Sequence, residues 1–206
     1  MRRGMLNGAV GLLAVVVMGA AGCKVQVDKS GEGEAEHVKI ATPFGSIAVN
    51  KDKTTASEVG LPAYPGATVE SGGDGGNSAK VDMGFGSWKL RVRVAHYSTG
   101  DKREQVVEFY RKALSQYGAV ITCAGDKPVG TPVTTGEGLS CADSDHGKKG
   151  MHESFRAGEF ELKAGSQRHQ HLVVLQREGA SPSPTQFTLI ALDLPHGMQD
   201  EDAGTN

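Results

Sequence analysis

Residues 88–97 alternate between apolar side chains and charged or small ones. Trp88 and Leu90 begin the apolar set, whereas Lys89 and Arg91 begin the other. Because successive side chains of a strand point to opposite faces, this pattern predicts a strand with one buried and one solvated face. A chain containing such a strand needs neighbouring strands to pair with it and an apolar layer to cover its buried face.

Four further segments carry strand signals. Residues 37–50 predict a hairpin, since two alternating arms flank residues 42–45, where Thr-Pro-Phe-Gly favours a turn. Later in the chain, residues 158–164, 169–176 and 186–194 contain short apolar runs that are also typical of strands.

One helix is expected between residues 102 and 117. Asp101 and Glu104 fit a capping box at its start, and Gly118 is placed to end it. Its apolar stripe consists of Val106, Phe109, Tyr110, Ala113, Leu114 and Tyr117. The sequence therefore predicts an α+β fold, in which an antiparallel sheet carries this main helix on one face.

Composition limits the function classes. The chain has 206 residues, of which 29 are glycine, about twice the usual share of about 7%. Much of it is therefore expected in turns and loops. Its net charge of −2 excludes the strongly basic kind of nucleic-acid-binding protein, so we expect no nucleic-acid partner.

The N-terminal segment has the layout of a secretory signal peptide. Arg2 and Arg3 form a basic start, and residues 4–22 are uncharged and mostly apolar. A membrane-spanning helix needs about 20 consecutive apolar residues, and the glycines in this run make it marginal for that role.

The end of this segment reads Ala20-Ala21-Gly22-Cys23 and resembles the lipobox of bacterial lipoproteins, with Ala20 where that family more often has leucine. The resemblance implies cleavage after Gly22 and acylation of Cys23, which would attach the chain to a membrane. A non-acidic residue after the cysteine, here Lys24, implies the outer membrane, facing the periplasm. An uncleaved N-terminal helix and a plain secreted protein are the alternatives.

Four parts are expected along the chain. Residues 1–22 would be the signal peptide, and residues 23–36, which are charged and contain glycine, a flexible tether from the lipidated Cys23. Residues 37–195 would form a single domain, and residues 196–206 a disordered tail.

Cys123 and Cys141 remain once Cys23 is assigned to the lipid anchor. An even pair in an exported chain predicts a disulfide, and the residues between them are rich in Gly, Pro and Thr. Closing a loop of this size stabilises a fold by about 3 kcal/mol. Two free buried thiols, or a metal or redox pair, are the alternatives.

A second resemblance covers roughly residues 38–194. The segment Leu-Pro-Ala-Tyr-Pro-Gly-Ala at 61–67 is followed by Val106-x-x-Phe109-Tyr110-x-x-x-Leu114, and this order is similar to a pattern in uncharacterised bacterial lipoproteins. The stretch at 161–174 is similar to such proteins too. The pattern implies that the chain belongs to this group of lipoproteins and that these residues form a structural scaffold. It is linked to no known chemistry, so it assigns no catalytic or ligand residue.

His169 and His171 are the metal-ligand candidates. Two residues apart on a strand, their imidazoles share a face, which suits Zn²⁺ or Cu²⁺. Candidates for a third ligand are His146, His152, Asp143 and Asp145. Histidines that are simply solvated are the alternative, and we assign no metal and no cofactor.

The sequence contains no Gly-x-Ser-x-Gly nucleophile turn and no phosphate-binding loop. Lys89, Arg91 and Arg93 form a basic stripe that could meet an anionic partner or a lipid headgroup. We therefore expect a non-enzymatic, lipid-anchored envelope lipoprotein that interacts with another envelope protein. A periplasmic metal-binding protein that uses His169 and His171 is the alternative, and an envelope hydrolase is a third.

Overall fold

The computed structural model describes residues 24–28, 37–50, 54–70, 78–141, 160–176 and 184–195. These residues form one sheet of 11 strands and one α-helix, α1 (Arg103–Leu114), continued by a 3-10 turn at Ser115–Tyr117. The strands are β1 (Lys24–Asp28), β2 (His37–Thr42), β3 (Gly45–Asn50), β4 (Thr68–Val69), β5 (Ala79–Phe85), β6 (Trp88–Thr99), β7 (Ile121–Ala124), β8 (Lys127–Pro128), β9 (Phe160–Gly165), β10 (His169–Leu175) and β11 (Thr185–Asp193).

The strand order is β1-β2-β3-β5-β6-β11-β10-β9-β7-β8, and each of these neighbouring pairs is antiparallel. Strand β6 is the longest of them, with 12 residues. One of its edges pairs with β11, while the other pairs first with β5 and then with the short β4. The strand thus joins the two halves of the sheet.

The expected α+β class is wrong. Strands hold 52% of the described residues, and helix accounts for only 15 residues, so the fold is β-rich. The difference arises mainly before β6, where β1 and β5 join the predicted β2–β3 hairpin and extend the sheet as a meander. Asp82 and Gly84 are poor strand formers, and they obscured β5 in the sequence.

Residues 24–28, which open the range predicted as a tether, form β1 and pair with β2 from Lys24 opposite Ala41 to Asp28 opposite His37. The other predictions for the chain ends lie outside the described residues. They concern the signal peptide at 1–22, the lipidated Cys23, the rest of the tether at 29–36 and the tail at 196–206.

The predicted helix is confirmed, but its cap differs. The backbone N–H of Lys102 donates to the Gln105 side chain at 3.1 Å, so the capping interaction begins one residue later than expected. Asp101 instead accepts a hydrogen bond from the Tyr64 hydroxyl at 2.9 Å. This bond ties the start of the helix to the segment before β4. Gly118 follows the 3-10 turn with φ 117°, which favours glycine.

The main core lies between one face of the sheet and a layer formed by α1 and residues 54–67. Phe187 is 1% exposed and stands at its centre. Its ring stacks on Tyr97 at 5.6 Å and contacts Tyr110 at 5.4 Å between ring centroids. The Tyr97 hydroxyl accepts a hydrogen bond from Ala56 N–H at 2.9 Å, which fixes residues 54–67 over the sheet.

The opposite face of the sheet holds smaller clusters. The predicted disulfide between Cys123 and Cys141 is confirmed, and it packs with Ile121 and Leu139. On the adjacent strand β9, Glu161 pairs with Cys123, and Lys163 with Ile121. The two β9 side chains form an ion pair at 3.3 Å, with 7% and 1% of their side-chain surface exposed. A buried charge pair therefore lies beside the disulfide.

Phe187→Ala should destabilise the protein by about 3–5 kcal/mol, because it removes a buried ring from the aromatic centre and leaves a cavity. The matched change Phe44→Ala, at a ring that is 85% exposed, should alter the free energy of unfolding by less than about 0.5 kcal/mol. Denaturant unfolding of both variants measures the difference. Equal effects would contradict the assigned core.

Candidate functional site

Charged side chains line up across four neighbouring strands, on the sheet face that carries α1. The register places His169 of β10 opposite Asp193 of β11, Asp193 opposite Arg91 of β6, and Arg91 opposite Asp82 of β5. Directly opposed residues on neighbouring strands share a face. We call His169, Asp193, Arg91, Asp82 and the adjoining Arg93 the charged row.

Acidic and basic side chains alternate along the charged row. Asp193 lies 3.0 Å from His169 Nδ1 and 3.2 Å from Arg91 Nη1, through separate carboxylate oxygens. Asp82 accepts from Arg91 Nε at 3.3 Å and from Arg93 Nη2 at 2.8 and 3.0 Å. Each carboxylate thus bridges two basic side chains. Such pairs are worth about 0–1 kcal/mol each where water reaches them.

Two members of the predicted basic stripe belong to this row. The Arg93 side chain is only 11% exposed, and its guanidinium also donates to the backbone oxygens of Val81 and Val92. Lys89 is exposed and lies opposite Gly84. The sequence alone did not reveal Asp82 and Asp193 as partners, because Asp193 is 102 residues from Arg91 along the chain.

His171 lies on the same face, next to the charged row, but it has a different environment. Its ring stacks on Tyr117 with centroids 3.6 Å apart and planes 9° apart, while the Tyr117 hydroxyl donates to the Gly60 carbonyl. Burial lowers the pKa of His171 below 6.5, Asp193 opposes that shift, and His169 adds to it. The imidazole is therefore neutral at pH 7. Its Nδ1 is buried and has no hydrogen-bond partner among the described residues.

The two candidate metal ligands thus share a face, as predicted, but have different partners. His169 faces Asp193, whereas His171 faces an aromatic ring. The described part of the chain contains no group of three or more His, Cys, Asp or Glu side chains that could hold a metal ion. The proposed third ligands, His146, His152, Asp143 and Asp145, lie outside it.

A shallow depression of about 340 Å³ lies where α1 meets the segment before β4. It is lined by Tyr64, Pro65, Gln105, Glu108 and Phe109. The rings of Tyr64 and Phe109 meet edge to face at 5.1 Å, which gives the depression an aromatic wall beside a carboxylate and an amide. Sequence reasoning missed this site, because two segments about 40 residues apart build it.

Comparison with known proteins identifies no relative: no family model, no curated protein and no solved structure matches this chain. Within the described ranges, the structure contains no helix that is long and apolar enough to cross a membrane.

His171→Phe should make stability less sensitive to acid. Because the pKa of His171 is lowered in the folded state, the unfolded chain takes up its proton first as the pH falls below about 6.5. The contribution of His171 to stability is therefore fully present above that pH and is lost as the pH falls below it. Phenylalanine keeps the stacked ring without titrating, and Nδ1 has no hydrogen bond to lose. The measurement is the free energy of unfolding between pH 5 and pH 8.

The matched control is Tyr117→Phe, which keeps the stack and removes only the hydrogen bond to Gly60. It should lower the free energy of unfolding by about 1 kcal/mol without changing how that free energy depends on pH. Part of the pH dependence of stability should remain in His171→Phe, because burial also lowers the pKa of His96. An unchanged pH dependence in His171→Phe would contradict the assigned protonation.

Proposed function

We propose that this protein is a lipid-anchored lipoprotein of the bacterial cell envelope, and that its β-rich domain is a non-enzymatic interaction module. The observation that carries the proposal is the order of Arg2 and Arg3, the apolar run at 4–22 and Cys23. Lys24 favours the outer membrane, with the domain facing the periplasm and another envelope protein as its partner.

The distribution of the three cysteines supports export. Cys123 and Cys141 form a disulfide, a bond that persists in oxidising compartments and is rare in the cytosol. Cys23 is the remaining cysteine of the chain, and the lipobox resemblance assigns it to the anchor.

Two features of the described surface support an interaction role. Asp82 and Asp193 both lie between basic side chains on an open sheet face rather than converging in a cavity, which is where enzymes place their titratable groups. The depression at Tyr64 and Phe109 combines aromatic rings with polar side chains, a composition that is typical of protein interfaces.

The residues behind the second resemblance have structural roles in this fold. Tyr64 and Tyr110 pack in the aromatic core, and the Tyr110 hydroxyl donates to the Pro62 carbonyl at 3.2 Å. Gly66 has φ 75°, a conformation that favours glycine. In this chain the pattern therefore specifies a scaffold, which supports an interaction module rather than an enzyme.

Mass spectrometry of the native protein tests the anchor. We expect a chain that begins at Cys23 and carries a diacylglyceryl group and an N-acyl chain, and we expect it in the membrane fraction. Cys23→Ser should lose both the lipid and the membrane fractionation. The double variant Cys123→Ser/Cys141→Ser is the control, because it removes the disulfide and should stay membrane-bound. An unmodified Met1, or free protein in the cytosol, would overturn the proposal.

The alternative function is metal binding by His169 and His171, and it is favoured by the position of both imidazoles on one sheet face. Calorimetric titration of the protein with Zn²⁺ and Cu²⁺ separates the two functions. The interaction module should bind neither metal with a dissociation constant below about 1 μM, equivalent to about 8 kcal/mol. Tighter binding that His171→Ala abolishes would favour the metal-binding protein instead.

A further inference from the structure

One end of the sheet brings together the start of β1 and the turns of two hairpins. The β2–β3 turn contains Phe44, and the β5–β6 turn joins Phe85 to Trp88. The register pairs that define this end are Lys24 with Ala41, Thr42 with Gly45, Gly45 with Phe85, and Phe85 with Trp88. We call Phe44, Phe85 and Trp88 the aromatic end.

Two rings of the aromatic end are exposed, and the third, Trp88, is half-buried. Phe44 is 85% exposed and Phe85 is 41% exposed. The rings of Phe85 and Trp88 have centroids 5.8 Å apart, and a side chain at Gly45 would clash with the Phe85 ring. The Phe85 ring therefore lies over the neighbouring hairpin, which places the three aromatic side chains on two adjacent turns.

The exposed charges nearest the two turns are lysines. Residues 40–47 and 83–90, which form the turns and their flanks, contain no aspartate or glutamate, and Lys24 and Lys89 are exposed in or beside them. The nearest carboxylate along β5 is Asp82, and it is paired with Arg91 and Arg93. Aromatic rings with lysines around them suit the bilayer interface, where rings sit at the headgroup level and ammonium groups meet anionic lipids.

The chain itself leads from this end towards the proposed anchor. Lys24 is already paired in β1, and Cys23 is the next residue towards the N-terminus. Consecutive Cα atoms are about 3.8 Å apart, so no flexible linker separates a lipid on Cys23 from the sheet. An acyl chain buried from this position holds the aromatic end at the membrane surface.

We propose that Phe44, Phe85 and Trp88 insert into the interfacial layer of the bilayer, so that the sheet stands on the membrane by this end. The inference rests on the proposed lipid anchor and adds a second, protein-borne membrane contact. It also fixes the orientation of the domain. Lys24 and Lys89 lie at the headgroups, and the opposite end of β6, where α1 begins, points away from the membrane.

Trp88 provides the test, because it is the only tryptophan of the chain and its fluorescence reports this site alone. The native acylated protein is reconstituted into phosphatidylethanolamine–phosphatidylglycerol vesicles with or without brominated acyl chains. We expect Trp88 fluorescence to be lost in the brominated vesicles, and more so with bromines near the carbonyl groups than near the chain ends. Unquenched Trp88 would overturn the proposal.

Two variants separate insertion from simple tethering. Phe44→Ser combined with Phe85→Ser should reduce the quenching of Trp88, because it removes two of the three inserted rings while Cys23 stays acylated. Val129→Ser combined with Val133→Ser is the matched control, since these apolar side chains are 49% and 54% exposed elsewhere on the domain. It should leave the quenching unchanged. Circular dichroism of both variants checks that the sheet is intact.

Mass spectrometry of the same samples distinguishes failure of the bilayer contact from failure of the lipid anchor. An acylated Cys23 with unquenched Trp88 overturns the bilayer contact and leaves the anchor standing, whereas a chain without acyl groups overturns both. Trp88 that is unquenched in vesicles, but shielded from iodide in native envelopes, would assign the aromatic end to a protein partner and also overturn the bilayer contact.

Discussion

The pairing of β6 with β11 joins the two halves of the sheet, and at its centre Phe187 of β11 stacks on Tyr97 of β6. Tyr97 lies on β6, and its hydroxyl fixes residues 54–67 over the sheet through Ala56. The other part of β6 leaves this core and forms the edge on which the β1–β2–β3–β5 meander is built. The core therefore sets the position of the meander, although the main sheet contacts of α1 are with β9 and β10.

This arrangement gives the proposed lipoprotein two distinct ends. At one end lie the aromatic turns and the residue next to the proposed anchor. Strand β6 runs from Trp88 at this end to Thr99 at the other, and α1 begins at Arg103, shortly beyond it. The depression lined by Tyr64 and Phe109 is near that second end, since Tyr64 bonds to Asp101. A domain standing on its aromatic turns would present this depression to the periplasm.

The candidate sites differ in how far the sequence could predict them. The shared face of His169 and His171 followed from strand periodicity, and the disulfide followed from the number of cysteines in an exported chain. The charged row could not be predicted from the sequence, because Asp82 and Asp193 contact Arg91 only once their strands pair with β6. The Tyr117 ring that covers His171 is likewise supplied by a different element.

The sequence by itself determined the local elements, because alternation, helical periodicity and turn residues act over a few positions. Strand β6, the helix and the hairpin at Phe44 were all visible in this way. Only the tertiary structure decided how many strands join the sheet and which faces are covered. Strand β1 lies in a charged range that indicates a tether, and β5 contains Asp82 and Gly84, so neither has a clear strand pattern. Both strands are ordered by hydrogen bonds to their neighbours. The energy of strand pairing depends on the side chains of the partner strand, and the pattern within one segment does not contain them.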